Sequence, residues 1–157
     1  MAKSSHCSYC GQRFPPGALW PRVCAGCGEI SYLNPVPVTV VLVPIEPGRG
    51  HLALPGGFVN AGESWQAAGA REVAEETGLR VSPDELNVFA VHSAPAPADC
   101  VLIFALAGPR TSADLAGFAP NEETSELAVL SAPQPLAFPL HTRVAGEYFA
   151  RRAKGGH

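Results

Sequence analysis

Charge is scarce in this chain. Asp, Glu, Lys and Arg make up 16% of its 157 residues while 46% are apolar, which is the material of one ordinary globular domain and little more. A basic excess is also missing: eleven Lys and Arg stand against 14 Asp and Glu, a net charge of -3, so the chain as a whole lays down no footprint for duplex nucleic acid. The longest apolar runs, residues 36–45 and 101–107, fall far below the roughly 18 residues that span a bilayer, and Pro37 and Pro44 interrupt the first. The opening Met-Ala-Lys-Ser-Ser-His is polar and lacks the apolar stretch of a secretory signal. A soluble protein of the reducing cytoplasm, with no membrane partner, is the expectation. The 16 Gly and 16 Pro lie between apolar runs rather than in one biased tract, so they read as turns and loop ends.

Four of the five cysteines sit in two knuckles, Cys7-x-x-Cys10 and Cys24-x-x-Cys27, within the first 30 residues. That spacing lets four thiolates close a tetrahedron around one structural Zn²⁺, with Gly11 and Gly28 after each pair permitting tight left-handed turns. A disulfide pair would need an oxidising compartment, and a redox motif needs one C-x-x-C rather than two. Some thirty residues build no core of their own, so the metal is expected to supply the folding energy of a zinc ribbon over residues 1–33. Cys100, beside the run 101–106, reads as a small core hydrophobe.

Beyond the ribbon, residues 38–43 predict a buried, β-branched strand that Pro44 stops. Shorter strands are expected at 52–54, 86–91, 101–106 and 126–130. Residues 64–77 have helical composition with Gly78 as the stop, and a closing helix is expected over 139–153, followed by a frayed tail at 154–157. Strands and two helices in this order argue for an α/β sheet covered on both faces.

On the first helix, at 100° per residue, Glu72, Glu75 and Glu76 fall within about 100° of one another as a carboxylate patch, whereas Ala67, Ala70, Val73, Ala74 and Thr77 gather on the other side, which is expected to be the buried face. Three carboxylates at i, i+3 and i+4 repel, and the helix carries only Arg71 to relieve them. A hard divalent cation supplies the missing charge, and Mg²⁺ commonly completes its shell with substrate phosphates. The expected chemistry is therefore metal-assisted work on a phosphate.

The flanks extend the pattern: Gly57, five residues, Glu63, seven residues, then Arg71-Glu72-Val73-Ala74-Glu75-Glu76-Thr77-Gly78-Leu79. This resembles the signature of the Nudix hydrolases, G-x5-E-x7-R-E-U-x-E-E-x-G-U with U aliphatic, at every specified position. Seven fixed residues at roughly one-in-fifteen usage match by chance on the order of once in 10⁸ placements. The resemblance implies a Nudix α/β/α sandwich with a mixed sheet over residues 34–153. It also implies that Glu72, Glu75 and Glu76, with the carbonyl of Gly56, bind catalytic Mg²⁺ or Mn²⁺, and that Glu63 and Arg71 form an ion pair tying loop to helix. Gly57 and Gly62 would supply loop conformations that side chains forbid. For the base that activates water, the chain offers Glu72 or the acidic loop 121–126, with Glu123 as the candidate there.

A zinc ribbon before such a box resembles the NADH pyrophosphatases and a related group acting on dinucleotides or ADP-ribose. The NADH group carries S-Q-P-W-P-F-P-x-S after the box; here residues 93–99 read Ser-Ala-Pro-Ala-Pro-Ala-Asp, so the glutamine and both stacking rings are alanine. Losing them weakens base binding by that route. Residues 137–142 resemble the start of the related group's closing helix, which brings His141 toward a ligand and expects Phe138 to pack. A further departure is the segment 44–51, where family members usually carry another strand; only Arg49 is left there to meet a phosphate.

Two functions follow. The first is a divalent-metal-dependent hydrolase cleaving the pyrophosphate of a nucleoside diphosphate linked to another moiety: a dinucleotide such as NADH or FAD, or ADP-ribose. The second is a Nudix-fold nucleotide sensor that uses the ribbon as its partner contact. The resemblance implies a homodimer, and Lys3, Arg13 and Arg22 are the basic ribbon residues that action on capped or NAD-linked RNA ends would use.

Overall fold

The computed structural model describes residues 4–46, 51–120 and 127–155. The chain divides into two compact units, Met1–Pro35 and Val36–His157.

In the first unit, strands β1 (Arg22–Val23) and β2 (Ile30–Ser31) pair antiparallel, and His6 bridges to Arg13. Apolar content is slight: Cys7, Cys24 and Phe14 are buried, with Trp20 packed against them. Arg22 closes the group. Its guanidinium lies 4.1 Å from the Trp20 ring centre and 5.4 Å from that of Phe14, while Nε donates to the Ala18 carbonyl at 2.9 Å and Nη1 to that of Ser4 at 3.2 Å. Arg22 is half-buried in this arrangement. Lys3 lies outside the described residues.

The second unit is organised around β3 (Val36–Glu46). One edge pairs antiparallel with β4 (His51–Ala53) and β5 (Gly56–Phe58); the other runs parallel to β7 (Cys100–Leu106), whose far side holds β6 (Asn87–Ser93) antiparallel. The short β8 (Arg110–Thr111) continues alongside the end of β3. Mixed strand directions in one sheet agree with the expected architecture.

Two helices cover the sheet, and β3 shows why. Its residues alternate between faces: Val40 and Leu42 join Phe104, Leu52 and the buried residues Val144, Ala145 and Tyr148 of helix α2 (Pro139–Ala153). Val41, Val43 and Ile45 join Ala53, Ala105 and Val73 of helix α1 (Trp65–Thr77). A strand buried on both faces reads as an unbroken apolar run rather than an alternation.

Pro44 does not stop β3. Opposite it stands Leu52, whose N–H and carbonyl both bond Leu130, so Pro44 and Leu52 form a non-hydrogen-bonded pair across the hairpin. The absent N–H of Pro44 then falls between the last bond to the β7 chain, Ala107 N–H to Leu42 O, and the first β8 pair at Ile45. Residues 44–46 and 51 of the segment read as shortened are therefore strand; residues 47–50, Arg49 among them, lie outside the described part.

The strand expected at 126–130 is also corrected. Residue 126 is not described, 127–129 form no strand, and Leu130 makes one isolated bridge to Leu52. A partner only three residues long, with Pro133 and Pro135 just downstream, gives it nothing further to pair with. Among the described residues no helix is long and apolar enough to cross a membrane.

Phe104 is fully buried on the α2 side of the sheet. Phe104→Ala is expected to cost about 3–5 kcal/mol of stability through the transfer and cavity terms, read as a lowered midpoint in urea unfolding.

Candidate active site and cysteine cluster

The four ribbon cysteines converge. Their sulfurs all lie within 4.8 Å of one another, with Cys7 to Cys27 at 3.8 Å and Cys10 to Cys24 at 3.5 Å. A tetrahedron of Zn–S bonds near 2.3 Å has edges of about 3.8 Å, so the donor set and its spacing fit Zn²⁺. The backbone prepares it: both Gly11 and Gly28 have φ of +76°, the left-handed turn that each knuckle requires. Backbone N–H groups of Cys10 and Tyr9 draw the Cys7 thiol down to about 6, and those of Cys27 and Gly26 lower Cys24. The Glu29 N–H favours the Cys27 thiolate too, but burial and the three neighbouring sulfurs outweigh it and push Cys27 up to about 12. Four sulfurs this close cannot all carry charge without a cation among them.

In the second unit, α1 begins where Ser64 accepts the Ala67 N–H and ends at Gly78, whose φ is +72°. Its orientation corrects the expected one. Ala68, Gly69, Glu72, Val73 and Thr77 are buried, whereas Ala74 is exposed. The carboxylate edge thus overlaps the buried face instead of lying opposite it, and Glu72 is only 8% exposed. Alanine gains little from burial, so Ala67, Ala70 and Ala74 do not decide which side turns inward. The close approach at Gly69 does: a Cβ there would meet Val41 Cγ2 at 2.9 Å and Leu86 Cδ1 at 3.0 Å.

This brings the box together against β5. Glu76 accepts the Gly56 N–H at 3.1 Å. Gly56 has no room for a side chain, since a Cβ would stand 2.4 Å from the Thr39 carbonyl, and at Gly57 it would stand 2.2 Å from Glu72 Oε1. Gly57 is therefore needed for the space it leaves to a carboxylate rather than for a loop conformation; Gly62, with φ of +83°, is the residue that turns the loop.

Arg71 is the hub. Nε and Nη2 donate to the two oxygens of Glu63 at 3.0 and 3.2 Å, Nη1 to Glu72 at 2.7 Å and Glu75 at 2.9 Å, and Nη2 also to the Phe58 carbonyl at 3.0 Å. Glu63 holds the Arg71 proton most strongly, with Glu72 next, and raises its pKa; in return Arg71, helped by the Asn60 N–H, lowers Glu63. The guanidinium thus supplies part of the positive charge that the helix taken alone lacks.

Among the described residues only the cysteines form a group of three or more metal-type donors within 4.8 Å. Glu72 and Glu75 share Arg71 Nη1, Glu75 being 46% exposed, while Glu72 and Glu76 line an open hollow of about 360 Å³ with Gly56, Gly57, Asn60 and Arg71. Oxygen donors around an open hollow suit a hard cation that keeps several waters. Asn60 and the Phe58 carbonyl were not singled out in the sequence; their one signal is the Asn60-x-x-Glu63 spacing, which places the Asn60 N–H on Glu63 at 3.1 Å. Glu123 lies outside the described residues.

A family model described as a NUDIX domain matches residues 38–150. The NAD-capped RNA hydrolases NudC of Escherichia coli (strain K12 / DH10B) and Escherichia fergusonii are each 30% identical to the chain in a 121-residue alignment that covers 70% of it and 46% of the relative. The chain thus spans about half the length of the curated relatives it matches. The Nudix hydrolase structure from Nitrosomonas europaea has a TM-score of 0.66 at 23% identity, covering 97% of this chain and 94% of that one. For a MutT/Nudix family protein from Listeria innocua the values are 0.60 and 21%, over 78% and 97%. These two likenesses are of fold. With the box residues gathered between α1 and β5 and the family model spanning most of the chain, this protein belongs to the Nudix family.

Proposed function

We propose that the chain is a divalent-metal-dependent pyrophosphohydrolase acting on a nucleoside diphosphate linked to another moiety, a dinucleotide such as NADH or FAD, or ADP-ribose. The observation that carries this reading is the hollow itself, which Glu72 and Glu76 line together with Gly56. The relatives' name supports a dinucleotide, since NAD is two nucleotides joined by a diphosphate.

Glu72 and Glu76, with the Gly56 carbonyl, are the groups that would hold Mg²⁺ or Mn²⁺, and Glu75 joins them from the rim. A cation held by these groups would supply positive charge for the diphosphate oxygens and the leaving group. The protein's own residues do the positioning. Arg71 ties the loop at Glu63 to α1 and holds Glu72 in place, and Gly57 leaves that carboxylate its room. Water loses its proton to Glu72 or to Glu123, attacks one phosphorus, and the bridging P–O bond breaks to leave two monophosphates. The ribbon holds structural Zn²⁺ through Cys7, Cys10, Cys24 and Cys27, in a cytoplasmic compartment that keeps the thiols reduced. The functional molecule is a homodimer, for which light scattering is expected to give twice the chain mass.

With NADH, FAD, ADP-ribose and dNTPs offered in Mg²⁺ or Mn²⁺, nucleoside monophosphate is expected from at least one dinucleotide or ADP-ribose; none from any of them overturns the hydrolase. Glu76→Gln keeps an acceptor for the Gly56 N–H but loses the charge, so turnover is expected to fall by about 100-fold or more while stability shifts by less than about 1 kcal/mol.

Chelation of one Zn²⁺ per chain is expected to unfold the ribbon. In a Trp65→Phe background, this reads as a red shift of Trp20 fluorescence that added zinc reverses. Unchanged emission after complete metal removal would show that the cluster does not hold the ribbon together.

A further inference from the structure

The four ribbon sulfurs are alike in chemistry but not in access. Cys7 and Cys24 are 3% and 2% exposed and pack with Phe14 and Trp20. Cys10 and Cys27, the second cysteine of each knuckle, are open to solvent. The space beside them is open as well: a Cβ on Gly11 or Gly28, the residues that follow, would meet nothing within 4 Å.

The close sulfur contacts run across the knuckles. Cys10 Sγ stands 3.5 Å from Cys24 Sγ, and Cys27 Sγ stands 3.8 Å from Cys7 Sγ. Each contact therefore joins an exposed sulfur to a buried one. A dissolved oxidant meets the exposed sulfur first, and the sulfur behind it is already placed to resolve the product. Closing either pair to a disulfide of about 2.05 Å asks the sulfurs to approach by less than about 2 Å.

We infer that the cluster is a peroxide-responsive modification site, where hydrogen peroxide exchanges the metal staple for two disulfides across the knuckles, Cys10–Cys24 and Cys7–Cys27. The inference rests on the zinc reading only for the metal that is released. First, the Cys10 thiolate attacks one peroxide oxygen; the O–O bond breaks, hydroxide leaves and Cys10 becomes a sulfenic acid. The Cys24 thiolate then attacks the Cys10 sulfur, the S–O bond breaks and a second hydroxide leaves. Each hydroxide takes up a proton to become water, so one peroxide gains the two electrons that the pair of thiolates gives up. Cys27 and Cys7 repeat the sequence with a second peroxide. The joined sulfurs no longer serve as ligands, but the knuckles they belong to stay tied to each other.

The test uses the full chain with Cys100→Ser and Trp65→Phe, which confines the thiols and the indole to the ribbon. Zinc is measured in the purified chain, its release by hydrogen peroxide is followed with a metallochromic dye, and linkages are mapped by mass spectrometry of unreduced peptides. About two peroxides per chain are expected to be consumed, with zinc released and both cross-knuckle linkages formed. Trp20 emission is expected to lack the red shift that chelation causes, and dithiothreitol with added zinc is expected to restore the starting state. Cys10→His keeps a zinc-ligating side chain and is expected to form Cys7–Cys27 alone, leaving Cys24 a thiol. Cys27→His is expected to form Cys10–Cys24 alone.

Linkage within a knuckle, Cys7–Cys10 or Cys24–Cys27, in the parent or either variant would overturn the inference. Thiols that persist in excess peroxide, sulfinic acids in place of disulfides, or a Trp20 red shift equal to that of chelation would do the same. A purified chain that holds no zinc yet forms both cross-knuckle pairs would leave the pairing standing and remove the zinc reading instead.

Discussion

Everything at the box depends on how like charge is tolerated within one turn of helix. Glu72, Glu75 and Glu76 share an arc of α1, and Glu72 is driven nearly out of solvent against β5. A buried carboxylate persists only with compensating charge or hydrogen bonds, and Arg71 supplies both, reaching Glu63, Glu72, Glu75 and the Phe58 carbonyl at once. The same guanidinium therefore neutralises the helix and anchors the loop entering it. A planar fork with five donors in fixed directions can do this; a lysine ammonium, a compact point charge, cannot reproduce the bidentate pairing with Glu63.

The scaffold allows this because backbone approaches backbone without side chains between. Gly69 lets α1 settle on Val41 and Leu86, Gly56 lets β5 lie against β3, and Gly57 leaves the space that the Glu72 carboxylate fills. β3 carries the arrangement from both faces, with α1 packed on Val41 and Val43 and α2 grouped with Val40 and Leu42. One strand thus holds the helix of the box and the helix of Phe138 and His141 on opposite sides of one sheet. Phe138 and His141 line a groove that shares Gly56 and Glu76 with the carboxylate hollow.

The ribbon solves a different problem with different means. Its apolar content amounts to a few buried side chains and an Arg22 sandwich over Trp20 and Phe14, too little to order some thirty residues. The sulfur cluster takes the place of a core, and the opposed protonation tendencies of Cys7 and Cys27 express the same crowding of potential charge that Arg71 relieves on α1.

Spacing along the chain determined what depends on local order: two C-x-x-C knuckles, α1 with Ser64 and Gly78 at its ends, α2 over its full length, and the box itself, because thiolate geometry, capping and helical periodicity are set within a few residues. Only the tertiary structure decided which side of α1 turns inward, since alanines carry too little hydrophobic drive to orient a helix and Gly69 shows its purpose only against Val41 and Leu86. It also decided that Pro44 sits inside β3, where the missing N–H falls in a gap between neighbouring strands, and that Leu130 pairs singly with a three-residue partner. Phe138, expected to pack, is 64% exposed for the same kind of reason: a side chain's exposure depends on what arrives beside it from distant parts of the chain.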